Sequence, residues 1–239
     1  MLIDNLRRQM SVIFLLVALS SCAAPQPTLT PIPTETPSAT PLPPTATATA
    51  AHRSTATPTL AGPALYEADH FTLYLPATFV GAGSPEALAQ IAQDQRDAGR
   101  NDLADVIEGR AQSAVFYAID TNTPNEAFLF TTVNVFIDFH PEVASLDEYL
   151  TGYSRGLLQT NGLTILGIED GLIGGIPGKV IKYQIDVSAT FGSPAVLASD
   201  EYVIQVDEFI LSMLFSTDSR EYEARQAVFY ASAASFVPK

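Results

Sequence analysis

The chain has 239 residues, with 26 Asp and Glu against 12 Lys and Arg, a formal charge of −14 and a single cysteine. That acidity excludes a nucleic-acid binder, which needs a basic face, and argues against direct docking on anionic lipid. One cysteine excludes an internal disulfide, so the stability of any folded domain has to come from packing.

The first residues fit an export signal. Arg7 and Arg8 supply positive charge, and Ser11–Leu19 (SVIFLLVAL) form a short apolar run. That run is about half of what a membrane-spanning helix needs. Small residues Ser20 and Ser21 precede Cys22, as at a cleavage point. The pair Arg7-Arg8 also raises twin-arginine export, but Gln9, Met10 and Ser11 fit that motif poorly. Leu19-Ser20-Ser21-Cys22 resembles the bacterial lipobox, the lipoprotein pattern Leu-(Ser/Ala)-(Gly/Ala/Ser)-Cys. The resemblance implies a signal peptide over residues 1–21, cleavage between Ser21 and Cys22, a diacylglycerol thioether on Cys22, and an acylated new amino group. Two or more acyl chains, at about 0.8 kcal/mol per buried methylene, anchor stably where one is marginal. The implied partner is a membrane, either the cell membrane or an outer membrane, with the domain on its extracytoplasmic side.

Residues 22–63 follow as the lipidated cysteine and a tether. Between Ala23 and Pro63 lie 10 of the 17 prolines and 11 threonines, with almost no aromatic or charged side chain. Such a composition cannot bury enough apolar surface to offset its ordering entropy, so disorder is expected. Proline biases it toward polyproline II at ~3.1 Å per residue, which gives a reach of up to about 130 Å. The segment reads as a spacer through an envelope layer, or as a linker with no length requirement.

Residues 64–239 form one compositional block, the usual size of a single domain with a real core. It carries 24 acidic against 9 basic residues, a formal charge of −15. Phe71–Leu75 alternates and stops at Pro76, as a strand should. Ser84-Pro85-Glu86 is a helix start, with Ser84 as N-cap. Helical spacing runs from Leu88 to Ile107, and Gly99 with Asn101 divides it into two helices. Ala114–Ile119 and Phe128–Ile137 read as paired strands around the loop 120–127 (DTNTPNEA). Ser145 with Glu148 makes a capping box. Leu146, Tyr149, Leu150, Tyr153 and Leu157 then form one apolar stripe, and Asn161-Gly162 ends the helix. Leu163–Glu169 is a strand, 174–178 (GGIPG) a turn, and Val180–Val187 a strand. Glu201–Val206 and Phe209–Phe215 pair across Asp207-Glu208. A helix over 219–235 closes the chain, with Tyr222, Val228, Phe229 and Phe236 facing inward. Short turns between neighbouring strands make the sheet mostly antiparallel. The expected fold class is α/β (α+β): about six or seven strands covered by helices.

Three stretches resemble the PsbP-like superfamily. They are Phe71-Thr72-Leu73-Tyr74-Leu75-Pro76, Gly175-Ile176-Pro177-Gly178-Lys179-Val180, and Glu201–Ile204 through Phe209–Phe215 to Ser235-Phe236. The resemblance implies a PsbP-like sandwich with an accessory or binding role, and no functional residue carries over from it.

Motifs of chemistry are sparse. Gly152-Tyr153-Ser154-Arg155-Gly156 has the Gly-x-Ser-x-Gly spacing but lies inside the apolar helical stripe and not at a strand-to-helix elbow, and the domain has no cysteine, so no activated nucleophile is legible. The stretch 171–178 lacks a following Gly-Lys-Ser/Thr, which excludes a phosphate loop. Asp138 and His140 share one strand face and form a candidate acid/base or metal pair, or a solvated strand end. Asp120, Asn122 and Glu126 resemble half of a calcium loop. The glycine at the sixth position and the distant bidentate glutamate are missing, and a polar hairpin loop explains the residues as well. Asp200-Glu201 and Asp207-Glu208 read as acidic turns flanking a strand. No cofactor motif is visible. The expectation is therefore a lipid-anchored, non-enzymatic binding or accessory domain of a bacterial envelope, with an envelope protein or small ligand as partner. A metal- or small-ligand-binding module is the second reading and an envelope hydrolase the third.

Overall fold

A computed structural model describes residues 62–110, 114–122 and 129–239. In chain order the elements are β1 (Pro63–Glu67), β2 (Phe71–Pro76), β3 (Phe79–Ala82), α1 (Pro85–Asp97), α2 (Asn101–Arg110), β4 (Phe116–Asp120), β5 (Thr132–Phe139), α3 (Leu146–Leu157), β6 (Leu163–Ile173), β7 (Ile176–Asp186), α4 (Ser188–Phe191), β8 (Val196–Val206), β9 (Phe209–Asp218), α5 (Tyr222–Ala234) and β10 (Val237–Pro238). Seven strands form one antiparallel sheet in the order β3-β4-β5-β9-β8-β7-β6. This is the mixed, mostly antiparallel architecture that the strand spacing predicts. The chain leaves the sheet centre after β5 and crosses through α3 to the far edge. From there β6, β7, β8 and β9 meander back until β9 lies against β5.

Local chemistry sets the element ends. The Ser84 hydroxyl accepts from the Ala87 amide, and Pro85 occupies the first turn of α1, where its missing N–H costs nothing. Gly99 takes a left-handed φ of 78° and turns the chain into α2. At α3 the Ser145 hydroxyl accepts from the Glu148 amide at 3.3 Å. The Glu148 carboxylate reaches back to the Ala144 amide at 3.2 Å, one residue before the cap, so the box is wider than its simplest form. The expected turn over 174–178 is shorter in the structure. Gly174 and Gly175 alone turn the chain, with φ of 58° and 81°, and Ile176 already pairs with Ile173. Two left-handed residues give the reversal whose twist matches the flanking strands.

The large sheet is covered on both faces at its centre, while the edge strand β6 is mostly exposed. On one face Phe71, Leu73 and Leu75 of β2 pack with Phe229 and Ala233 of α5 and with Phe236. They lie over Phe116, Val133, Val135, Met213 and Phe215. Each of those buried phenylalanines contributes about 2–3 kcal/mol by leaving water. The Phe71–Pro76 strand therefore does not join the large sheet: with β1 and β10 it makes a separate three-stranded sheet that forms part of the cover. The other face has two separate covers. Leu88, Ala92, Leu103 and Ile107 of α1 and α2 pack on Tyr117 and Ile119 of β4. Leu150 and Leu157 of α3 pack on Ile181, Tyr183 and Val203.

The elements absent from the sequence reading are β1, β3, α4 and β10, each of six residues or fewer. β1 opens with proline on a sheet edge, where a missing ladder donor is tolerated. Of the inward residues expected on the closing helix, Phe229 and Phe236 are fully buried, while Tyr222 and Val228 are half-buried.

The glycine turn ties the two layers together, since the Gly174 amide donates to the Ala233 carbonyl at 3.1 Å. A Cβ on Gly174 would overlap the Phe236 carbonyl, whereas one on Gly175 meets nothing within 4 Å. Gly174→Ala is expected to lower stability by at least about 2 kcal/mol, and Gly175→Ala by about 1 kcal/mol from backbone strain alone. Equilibrium urea unfolding of the two variants checks the difference.

Candidate functional site

On the doubly covered face a strip of the sheet lies between the apolar cluster under α1–α2 and the one under α3. Side chains of β5, β9 and β8 make up that strip, because residues two apart on a strand share a face. One straight cross-strand row runs Tyr117, Asn134, Leu214, Glu201, through the pairings of β4 with β5, β5 with β9 and β9 with β8. The next row brings Phe136 opposite Ser212, and Asp138 lies two residues further along β5. Glu201 is 2 % exposed, Ser212 8 % and Asn134 9 %. Phe136 and Asp138 are half-buried.

Glu201 is the centre of this group. The Tyr153 hydroxyl, reaching down from α3, meets its two carboxylate oxygens at 2.8 and 2.9 Å. The Ser212 hydroxyl donates to the same carboxylate. Tyr153 stacks on Tyr149 with ring centroids 5.5 Å apart, and Tyr149 meets His140 at 5.2 Å. The His140 Nδ1 lies 3.4 Å from a Glu142 carboxylate oxygen. Behind Glu201, Tyr183 bonds Ser199, whose hydroxyl is 2.9 Å from that of Ser216. The result is a carboxyl held by hydroxyl groups, with a chain of aromatic rings leading from it toward solvent.

Burial governs the electrostatics here. It pushes the Glu201 carboxyl up to about 7, with hydrogen bonds from Tyr153 and Ser212 pulling the other way and the nearby Asp138 adding to the rise. Asp138 is also raised, first by burial, with His140 opposing. Tyr153 and Tyr183 are held well above the ordinary phenol value by burial, and by the Glu201 charge second. A carboxyl poised this way can hold or release a proton near neutrality, or accept a cation.

The sequence candidates fall in three places. Asp138 and His140 do share a face, and the structure brings them to Glu201, Tyr149 and Tyr153. Asp120 lies elsewhere, at the end of β4 on the opposite face. It is 1 % exposed, its carboxylate meets the Arg225 guanidinium of α5 at 2.8 Å, and it accepts from the Asn122 amide at 3.0 Å. That carboxylate ties α5 to the sheet. Glu126, Ser21 and Cys22 lie outside the described residues. Among the described residues no group of three or more His, Cys, Asp and Glu side chains could hold a metal ion.

Asp200 and Glu201 are corrected by the structure. They are not an acidic turn before a strand: β8 begins at Val196, and both residues sit mid-strand at 2 % exposure. Asp200 faces the other side and bonds the Tyr222 hydroxyl of α5. No local signal marked them, because 196–206 runs as an apolar, a polar and an apolar triplet without alternation.

No protein-family model matches the chain, and no curated protein matches it. Among solved structures it is similar to the solution structure of cyanobacterial PsbP (CyanoP) from Synechocystis sp. PCC 6803. The TM-score is 0.49 at 12 % identity, over 79 % of this chain and 99 % of that one. It is also similar to LpqN, involved in cell envelope biogenesis of Mycobacterium tuberculosis, with TM-score 0.48 and 11 % identity over 71 % and 83 % of the two chains. A third is a Pseudomonas aeruginosa protein of unknown function described as a putative regulator, with TM-score 0.43 and 11 % identity over 74 % and 97 %.

The raised Glu201 carboxyl fixes the sign of one pH effect. Between the ordinary 4.5 and about 7 the folded chain keeps a proton that the unfolded chain has released. The contribution of this group to stability is therefore full below 4.5 and is lost as pH rises toward 7. Glu201→Gln is expected to flatten that part of the profile and to exceed the parent at pH 8 by roughly 3 kcal/mol. Thermal melts from pH 5 to pH 8 on both proteins test it.

Proposed function

We propose that this protein is a lipid-anchored, non-enzymatic binding or accessory domain of a bacterial envelope, held on a proline-rich tether. The observation that carries the reading is where the tether meets the domain. Pro63 opens β1 in the small sheet, which covers one face of the large sheet, and the carboxyl–tyrosine group of Glu201 and Tyr153 lies on the other. The chain therefore enters on the face opposite the group around Glu201 and leaves that group clear of the tether's attachment. The apolar run ending in Leu19-Ser20-Ser21-Cys22 supports the anchor. No helix among the described residues is long and apolar enough to cross a membrane. The group around Glu201 supports binding: it holds the Glu201 and Asp138 carboxyls, the Asn134 amide and the Tyr153 and Ser212 hydroxyls, and no cysteine.

Cys22→Ala is expected to move the protein from the membrane fraction to the soluble fraction, with the folded domain unchanged by circular dichroism. Persistence of the variant in the detergent-soluble membrane fraction would refute the anchor.

A further inference from the structure

Among the described residues four strands end a sheet: β10 with two residues, β3 with four, β1 with five and β6 with eleven. The outer row of backbone N–H and C=O groups on a strand as long as β6 is a template for another strand, and folded proteins blunt such rows with charge, a bulge or a cover. Over 164–172 the backbone of β6 pairs with β7 and with nothing else among the described residues. The register shifts once, between Ile165 and Gly167, and the pairing from Gly167 to Ile173 is regular. Leu166, Ile168 and Leu172 along this edge are 53 %, 45 % and 57 % exposed. Ile168 pairs with Ile181 under α3, yet the apolar cluster held by α3 takes in Leu163 and Ile165 of β6 and stops short of Ile168 and Leu172.

The charges at this edge bear on what approaches it. Lys182 meets Glu169 at 2.8 Å, and Lys179 meets Asp170 at 2.8 Å and Asp147 at 3.1 Å. The chain has three lysines, and two of them stand here on the neighbouring strand β7. The acids of β6, which could repel an incoming strand, are therefore neutralised in a domain whose formal charge is −15. A basic segment would have to break those ion pairs to use the carboxylates. A second copy of this acidic chain meets an edge whose charges are already paired, and charges elsewhere on the two domains are screened over about 8 Å at physiological salt.

We propose that β6 pairs antiparallel with β6 of a second copy, joining the two seven-stranded sheets across a two-fold axis. An axis at Asp170 uses the regular stretch on both copies. Ile168 of each copy then stands opposite Leu172 of the other, and Glu169 stands opposite Gly171, which leaves it room. The two Asp170–Lys179 pairs meet at the axis as alternating charges. The surface is self-complementary, as a two-fold interface requires. Covering the edge and its apolar side chains on both copies removes on the order of 1,000 Å² from water, the size at which a specific interface begins.

Sedimentation velocity of the Cys22→Ala chain, from about 1 to about 200 μM at about 0.15 M salt, measures the association. A monomer–dimer equilibrium is the expected result. Ile168→Lys and Leu172→Lys, both at exposed positions, each weaken it at least about tenfold and leave the thermal melt unchanged. Lys179→Gln, which unpairs Asp170, weakens it several-fold. Tyr74→Lys, on the outer face of the small sheet, leaves it unchanged. Hydrogen exchange of the amides over 167–173 is slower at the high concentration than at the low one. A monomer throughout the range overturns the proposal, as do assemblies that grow past the dimer, since a two-fold pairing uses up the edge. Association unchanged in Ile168→Lys and Leu172→Lys, which the N-terminal apolar run by itself would give, also overturns it. So do loss of the dimer in Tyr74→Lys, a Lys179→Gln chain that dimerises like the parent, and exchange over 167–173 that does not depend on concentration.

Discussion

A seven-stranded sheet that is apolar on both sides has to be covered on both sides, and this chain has one broad cover and two narrow ones. The broad cover, made by the small sheet β1-β2-β10 and α5, closes one face with a continuous cluster of phenylalanines. The narrow ones, α1–α2 and α3, sit over opposite ends of the other face. Everything distinctive about the protein follows from that inequality. Strands under the broad cover carry Val, Phe and Met at alternate positions. The same strands present Asn134, Phe136, Asp138, Ser212 and Glu201 to the strip on the other side.

Buried charge shows how differently the two faces are treated. Under the broad cover, Asp120 is neutralised by Arg225, and the pair ties α5 to the end of β4. Asp200, also on that side, takes a hydroxyl from Tyr222 and feels Lys182. Both arrangements fasten a helix to the sheet and leave the carboxylate satisfied. On the doubly covered face Glu201 fastens α3 through Tyr153, yet the fold supplies it only hydroxyl groups, and Asp138 stands beside it. Burial pushes a carboxyl left in that condition up to about 7, so the pH response of the domain centres on this residue.

Part of the group around Glu201 was legible in the sequence. Asp138 and His140 stand two apart on a strand and so share a face, which needs only the period of two. Glu201 was not legible as a site. An acidic pair ahead of an apolar run has the composition of a turn, and local pattern cannot tell that β8 lies between two other strands and is covered on both sides. Nor does sequence spacing bring Tyr153 to Glu201 across 48 residues, or align Tyr117 with Asn134 and Glu201 over three strand pairings. The calcium-like spacing of Asp120 and Asn122 shows the converse. It is local chemistry that the tertiary structure uses for an ion pair with a helix 105 residues away.

By itself the sequence determined the elements whose ends are written locally. The Ser84-Pro85 and Ser145 caps start helices, Gly99 divides one, and Gly174-Gly175 reverses a hairpin, each through backbone groups or φ values settled within a few residues. It also determined that most of the sheet is antiparallel, because the short turns between neighbouring strands favour nothing else. The tertiary structure alone decided which sheet each strand joins. β2, the clearest strand in the sequence, left the main sheet to become its cover, and β1, β3 and β10 are strands only because partners pair with them. It alone decided, too, that one buried carboxyl would stand without a cation. Alternation fixes which side of a strand a residue faces; what lies on that side is set by contacts between segments far apart in the chain.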